Sequence, residues 1–199
     1  MVILYEVHNG LYVNMTNKCP CACVFCLRQT KEEMEGSGSL WLDREPTVDE
    51  VIAEFSKFDM QKYDEVVFCG FGEPTERLSD VLKVAEFVKK TYDIPTRINT
   101  NGLSDLIWGK DTAPMFEGLI DTVSISLNTP NPEKYLELTR SKFGIESFDA
   151  MLTFAKNVKK YVKKVVLTTV STTLTPDEEQ ECREICERLG VTYRIRPFE

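Results

Sequence analysis

With 199 residues, 42% hydrophobic and 28% charged, the chain can bury one globular core, and no linker or repeat divides it. The net charge of −8 disfavours a nucleic-acid partner, and no apolar run is long enough to span a bilayer. The first residues lack the basic start and cleavage site of a signal peptide. We therefore expect one cytoplasmic domain over residues 1–199, whose seven cysteines are poor disulfide candidates.

The first predicted elements are a β-hairpin and a cysteine-rich loop. Asn9-Gly10 separates VILYEV from LYVNMT, and Asn-Gly favours the two positive-φ positions of a type I′ turn. The second arm, 11–16, leads directly into NKCPCACVFCLRQ. We expect this cysteine loop at the carboxyl end of the first strand of a parallel sheet, where ligands bind in such sheets.

Strands and amphipathic helices alternate along the rest of the chain. Capping boxes open the first and last of the predicted helices, which are 47–58, 78–90, 147–161 and 175–190. The predicted strands are 65–70, 96–100, 121–128, 164–170 and 191–198, with a short helix between the second and third. A closed eight-fold barrel usually takes about 250 residues. We therefore predict an α/β fold, a partial (β/α)6 barrel with an N-terminal hairpin strand.

The cysteine loop carries donors that suit an iron–sulfur cluster. The spacing CxxxCxxC is met by Cys19, Cys23 and Cys26. Three thiolates of one loop can bind a cubane and leave its fourth iron open to a small molecule. Zinc is the main alternative, but structural zinc usually takes four Cys or His ligands, and His8 is the only histidine. Cys21 falls outside the spacing, and the remaining close pair, Cys182 and Cys186, is expected in the core of the last helix.

A glycine-rich segment, GFGEP at 70–74, follows the next strand. Its glycines permit close backbone approach to a ligand, and Glu73 adds a carboxylate at the strand end. Together with the CxxxCxxC loop, this segment resembles the radical S-adenosylmethionine (SAM) superfamily over essentially the whole chain. The extra Cys21 and the runs CGFGEPT and NTNG look like the small TatD-linked radical SAM subfamily.

The resemblance implies two cofactors and the residues that bind them. Cys19, Cys23 and Cys26 would hold a [4Fe–4S] cluster, and SAM would be cleaved on it to a 5′-deoxyadenosyl radical. Phe71 replaces the second glycine of the family's GGEP segment, whereas Glu73 is retained. The implied SAM-binding set is Phe25, Gly70, Phe71, Gly72, Glu73, Asn99, Ser124, Ser126, Asn128 and Thr169.

Alternation along the strands supplies candidate substrate contacts. The polar residues predicted to face a ligand cavity are Tyr12, Asn14, Arg97, Arg194 and Arg196. Glu199 could add two carboxylates beside the last strand, with a solvated tail as an equal alternative. The loop 35–46, which carries Trp41, is either a lid over the substrate or a packed connection.

The resemblance further implies the activity of a queuine lyase, which releases preQ1 from queuine in queuosine salvage. Such an enzyme takes a small-molecule substrate and an electron donor such as flavodoxin or ferredoxin. Two alternatives remain within the superfamily: a relative of 7-carboxy-7-deazaguanine synthase and a glycyl-radical-enzyme activase. The alternative of another class is a zinc or iron–sulfur binding module without turnover.

Overall fold

The computed structural model describes residues 1–29 and 36–197. In chain order its one seven-stranded sheet contains β1 (Leu4–Val7), β2 (Gly10–Val13), β3 (Glu65–Phe68), β4 (Thr96–Thr100), β5 (Thr122–Ser126), β6 (Lys164–Val170) and β7 (Thr192–Arg196). β1 and β2 are antiparallel, and every later strand runs parallel to the one before it. Over the described ranges β7 does not pair with β1, so the predicted open sheet of six parallel strands with a hairpin strand is confirmed.

The α-helices of the described part are α1 (Val48–Glu54), α2 (Leu78–Tyr92), α3 (Ser104–Trp108), α4 (Pro132–Thr139), α5 (Glu146–Val158) and α6 (Pro176–Leu189). Both predicted capping boxes are present, at Thr47 and at Thr175. α4 was not predicted from the sequence, because its eight residues show little helical periodicity of apolar side chains. Its start is marked by the N-cap residue Asn131, which is followed by Pro132. Within residues 1–29 and 36–197, no helix has the length and apolar character that a bilayer crossing demands.

One face of the sheet, here called the helix face, carries the core. Right-handed connections between strands that follow in chain order place the helices on the same side. Alternate strand residues such as Leu11, Ile98 and Leu167 are fully buried there. Cys182 and Cys186 of α6 are buried in the same core, as predicted. The other face, here called the open face, presents the intervening residues of each strand.

The hairpin turn lies one residue earlier than predicted. Val7 pairs with Gly10, so His8 and Asn9 form the two-residue loop, and His8 alone of these two has a positive φ, of 50°. This register places Tyr5 opposite Tyr12, with their ring centroids 5.2 Å apart. A turn at Asn9-Gly10 would instead place Tyr5 opposite a polar amide. Cross-strand aromatic packing thus explains the observed register.

Residues 36–46, here called the strap, cross the end of β2 as a packed connection. The Asn14 side chain donates to the Leu40 carbonyl at 2.8 Å. Asn17 donates to the Leu42 carbonyl at 2.8 Å and accepts from the Leu42 N–H at 3.1 Å. Leu40 and Leu42 are both buried. Over its described part the loop is therefore packed in place, which favours the second of the two expectations over a lid.

Candidate functional site

The cysteine loop is hydrogen-bonded to the carboxyl end of α4, a helix that was not predicted from the sequence. The Ala22 N–H donates to the Thr139 carbonyl and the Val24 N–H to the Leu138 carbonyl, each at 2.9 Å. The carbonyls at the end of a helix have no intrahelical partner, so the loop satisfies two of them. The position of the cysteine loop is therefore set by α4.

The four thiols of the loop lie close together. The Cys21 thiol, 4% exposed, hydrogen-bonds with Cys19 and Cys23. These bonds lower the pKa of Cys19 and of Cys23 and raise the pKa of Cys21. Burial raises the pKa of Cys26. Two members of the triad are thus biased toward the thiolate form, which is the form that binds metals.

The donor set fits a cluster held by three thiolates. In the described ranges, no three His, Cys, Asp or Glu side chains converge as ligands of a single metal ion. A [4Fe–4S] cubane instead takes its protein ligands on separate irons. Four buried side-chain atoms of the described residues have no hydrogen-bond partner, among them the Tyr135 hydroxyl and Asn128 Oδ1. Such atoms are costly unless a ligand satisfies them.

The GFGEP segment packs directly against the chain that enters the cysteine loop. The Glu73 N–H donates to the Lys18 carbonyl at 2.8 Å. A Cβ added to Gly72 would lie 2.2 Å from the Thr16 carbonyl oxygen, so only glycine fits. A Cβ on Gly70 would similarly collide with the Asn14 amide, at 2.1 Å. The two glycines of the motif therefore permit close packing of two site loops.

The Glu73 carboxylate ties the ends of β3 and β4 together. It is 4% exposed and accepts from the Thr75 N–H at 3.1 Å, the Thr75 hydroxyl at 2.7 Å, the Thr100 hydroxyl at 2.7 Å and the Asn101 N–H at 2.8 Å. Burial raises the pKa of Glu73, and these four bonds oppose that shift. The Asn101 amide continues the network to Cys21 Sγ, at 3.8 Å. The carboxylate thus connects the glycine-rich segment to the cysteine loop.

Phe71 lies in a small apolar cluster on the open face. Its ring packs edge-on against Trp41, with centroids 5.2 Å apart. Tyr5 and Leu40 complete the buried cluster, whereas Trp41 remains 41% exposed. The bulky residue in the glycine motif is therefore accommodated by the strap, which supplies two of its neighbours.

Most of the implied SAM contacts on the strands share the open face. Ser124 and Ser126 lie on that face of β5, and Asn128, two residues beyond the strand, has a left-handed φ of 65°. Thr169 is the exception, because it lies on the helix face, where its hydroxyl hydrogen-bonds with the Tyr193 hydroxyl at 2.7 Å. The expectation that the Thr169 side chain faces SAM is therefore corrected. Phe25 is 36% exposed on the cysteine loop.

Among the predicted substrate contacts, Tyr12 and Arg97 lie together. Arg97 donates to the Tyr12 hydroxyl at 3.2 Å and to Asn99 Oδ1 at 3.0 Å, and it forms an ion pair with Glu65 at 2.7 Å. Asn14 is fully buried under the strap, where its amide nitrogen donates to the Val2 and Leu40 carbonyls and its Oδ1 has no partner among the described residues. Glu199 lies outside the described residues.

A cavity of about 180 Å³ opens on the open face near the amino ends of the strands. It is lined by Glu65, Arg97, Thr122, Ser124, Lys164, Val166 and Arg194. Partial burial and the nearby Arg97 and Arg196 lower the pKa of Arg194. Arg194 forms no ion pair with a carboxylate in the described part of the chain, and Arg196 Nε is buried without a partner. The cavity therefore has an excess of positive charge.

Three residues with ionisable side chains that face this side of the sheet were not predicted from the sequence. Glu65 and Lys164 line the cavity. Cys69 follows β3 on the same face and hydrogen-bonds with Asn99. Period-two alternation in EVVFC and KVVL was the signal that could have identified all three.

Comparison with known proteins identifies the family. The profile of the radical SAM superfamily matches residues 13–189. The chain belongs to the radical SAM superfamily. A GTP 3′,8-cyclase of Limosilactobacillus fermentum is 30% identical to it over 166 residues, which cover 82% of this chain. The chain spans 47% of that relative's length, or about half.

Solved structures share the fold at low identity. SuiB of Streptococcus suis, bound to the precursor peptide SuiA, has a TM-score of 0.70 at 16% identity, covering 98% of this chain and 40% of SuiB. SuiB bound to S-adenosylmethionine has a TM-score of 0.66 at 18% identity, covering 94% and 38%. This radical SAM protein therefore has the partial barrel of the family, and its cofactors are a [4Fe–4S] cluster and SAM. The names of these relatives differ from the predicted TatD-linked subfamily and queuine lyase.

Proposed function

We propose that this radical SAM enzyme acts on a small molecule that carries a guanine-like base, with queuine as the first substrate to test. The carrying observation is the similarity, at 30% identity over 82% of this chain, to a protein named GTP 3′,8-cyclase, whose substrate by name contains a guanine edge. The polar cavity near the amino ends of the strands lies away from the cysteine loop, so we assign it to a part of the substrate remote from the reacting carbon. Queuine contains that edge as a 7-deazaguanine, and the relatives named GTP 3′,8-cyclase point to a substrate with the same edge.

In this proposal Cys19, Cys23 and Cys26 bind the cluster, and the GFGEP segment and the open face of β5 bind SAM. When bound, the cluster and SAM supply a 5′-deoxyadenosyl radical that abstracts a hydrogen atom from the substrate. The buried atom Asn128 Oδ1 offers SAM an acceptor that no protein group uses. The lyase reaction would release preQ1, with electrons from a cytoplasmic donor such as flavodoxin or ferredoxin.

A purine nucleotide is the second candidate, and the charge of the cavity favours it. Arg194 and Lys164 line the cavity together with Arg97. Guanidinium groups bind phosphate oxygens through paired N–H donors. The secondary amine of queuine is cationic at neutral pH and would be repelled by the same groups. GTP must therefore be tested as a substrate beside queuine.

The test is a parallel anaerobic incubation of the reconstituted, reduced protein with SAM and either queuine or GTP, analysed by mass spectrometry. We expect 5′-deoxyadenosine with preQ1 from queuine if the first candidate is right, and 5′-deoxyadenosine with a modified nucleotide if the second is right. Cys23→Ala should abolish both products, whereas the matched variant Cys21→Ala, outside the triad, should retain them. Substrate-independent 5′-deoxyadenosine alone would reject both substrates.

A further inference from the structure

A buried tyrosine hydroxyl next to the cysteine loop has no partner. Tyr135 is 1% exposed, and its hydroxyl makes no hydrogen bond in the described structure. Buried hydroxyl groups nearly always form a hydrogen bond, because a buried donor without a partner loses the hydrogen bonds that it makes to water in the unfolded chain. The hydroxyl therefore requires an acceptor that residues 1–29 and 36–197 do not provide.

The surroundings of Tyr135 point to the acceptor. Burial raises the pKa of Tyr135 well above its ordinary value, and the nearby Cys21, Cys23 and Glu73 raise it further. Since the cysteine loop is also hydrogen-bonded to the end of α4, these interactions indicate that the hydroxyl lies near the thiols of the loop. Glu73 is not the missing acceptor, because its oxygens already accept four hydrogen bonds from other groups.

The orientation of Tyr135 is fixed by its own helix. Tyr135 lies in α4, whose last residues hold the cysteine loop through the carbonyl groups of Leu138 and Thr139. Its ring packs edge-on against Phe148, with centroids 5.6 Å apart. The same helix thus positions both the loop and the hydroxyl, which keeps the distance between them constant.

We propose that the Tyr135 hydroxyl donates a hydrogen bond to a sulfur atom of the bound cluster, either a ligating thiolate or an inorganic sulfide, and so raises the reduction potential of the cluster. This inference rests on the proposed placement of the cluster on Cys19, Cys23 and Cys26. Hydrogen bonds to sulfur stabilise the reduced, more negative cluster and are one of the means by which proteins set its potential. Tyr135 would then contact the cluster directly and tune its potential for the electron-transfer step.

The test is an EPR-monitored redox titration of the reconstituted holoprotein without SAM, comparing wild type with Tyr135→Phe. We expect the variant to bind the same amounts of iron and sulfide and to show a more negative midpoint potential. The apoprotein of Tyr135→Phe should be no less stable than wild type, since the lost hydroxyl had no partner there. Tyr92→Phe, on the remote end of α2, is the matched control and should leave the potential unchanged.

Two results would overturn the proposal. One is an unchanged potential in Tyr135→Phe with a full cluster, and the other is an effect confined to SAM affinity. If the Phe variant does not assemble a cluster, fluorotyrosine incorporated at position 135 keeps the hydroxyl and strengthens it as a donor. The potential should then rise, and an unchanged value would equally overturn the proposal. Because no substrate is present, this outcome is separate from the identity of the substrate.

Discussion

The two edges of the open face are built differently. At the carboxyl edge, the cysteine loop, the GFGEP segment and α4 hydrogen-bond with one another, and the Glu73 carboxylate alone accepts four hydrogen bonds. Within the described residues, the Tyr135 hydroxyl and Arg196 Nε remain without a partner at this edge. In the cavity near the amino edge, Arg194 has no carboxylate partner in the described ranges. Polar groups that serve folding are paired within the chain, whereas those that serve a ligand remain available. The carboxyl edge therefore contributes both to folding and to cofactor binding, whereas the cavity near the amino edge contributes mainly to ligand binding.

The largest effect is expected from Gly72→Ala at the carboxyl edge. The new Cβ would lie 2.2 Å from the Thr16 carbonyl and 2.7 Å from the Lys18 carbonyl, so the two site loops would have to separate. We expect a loss of about 3 kcal/mol or more in the free energy of unfolding, measured by urea denaturation. Gly118→Ala is the control: its Cβ meets open space, and its φ of 72° predicts a loss of only about 1 kcal/mol. Equal losses would contradict the close packing of the loops.

A second variant tests whether a charged group near the amino edge, Asp121, is paired within the chain instead of being free to bind a ligand. Asp121, just before β5, is 11% exposed, and it accepts from Lys163 at 2.7 Å, from the Thr96 N–H at 2.9 Å, and from Lys89. Burial opposes the shift, but these bonds hold the pKa of Asp121 well below its ordinary value. A depressed carboxyl pKa contributes stability above its unfolded value of about 4, and this contribution is lost as the pH falls toward the folded pKa.

Asp121→Asn should therefore cost about 1–2 kcal/mol of unfolding free energy at pH 7, with a smaller difference from wild type below about pH 4. Thermal denaturation across this range measures both quantities. Asp43→Asn is the control, because that carboxylate is 86% exposed and its removal should change the free energy of unfolding at pH 7 by less than about 0.5 kcal/mol. A difference for Asp121→Asn that is constant with pH would contradict an ionised, fully partnered carboxylate.

The smallest effect on stability is expected from Arg194→Gln. Because Arg194 forms no ion pair in the part of the chain described, its removal should change the unfolding free energy by less than about 0.5 kcal/mol. The affinity for pyrophosphate, measured by calorimetry, should nevertheless fall about tenfold. Arg188→Gln, the same charge change on the exposed side of α6, should leave the affinity unchanged. A stability loss as large as that of Asp121→Asn would show that Arg194 stabilises the fold and would contradict its assignment to ligand binding.

Local patterns in the sequence predicted most of the fold. The capping boxes at Thr47 and Thr175 mark α1 and α6 because the cap and its N3 partner are three residues apart. Alternation placed Arg97 and Ser124 on the open face, because neighbouring side chains of a strand point to opposite faces. The same rule, counted from Lys164, would have placed Thr169 on the helix face.

Contacts between distant segments account for what the sequence did not reveal. Asn14 obeys the alternation, yet the strap covers it, and nothing near Asn14 in the sequence indicates that Leu40 lies above it. The hairpin register depends on the pairing of Tyr5 with Tyr12 across the turn. The burial of the Tyr135 hydroxyl without a partner depends on the packing of α4 against the cysteine loop, which no local pattern in the sequence indicates. Long-range packing, rather than local propensity, decided these three features.

The most direct test of the central claim, that three loop cysteines hold a cluster with an iron open to SAM, is EPR of the reduced, reconstituted protein with and without SAM. We predict a [4Fe–4S] signal that changes when SAM is added, in wild type and in Cys21→Ala, and no such signal in Cys23→Ala. A wild-type protein that binds zinc in place of iron, or a Cys23→Ala variant with the full SAM-responsive signal, would contradict the account.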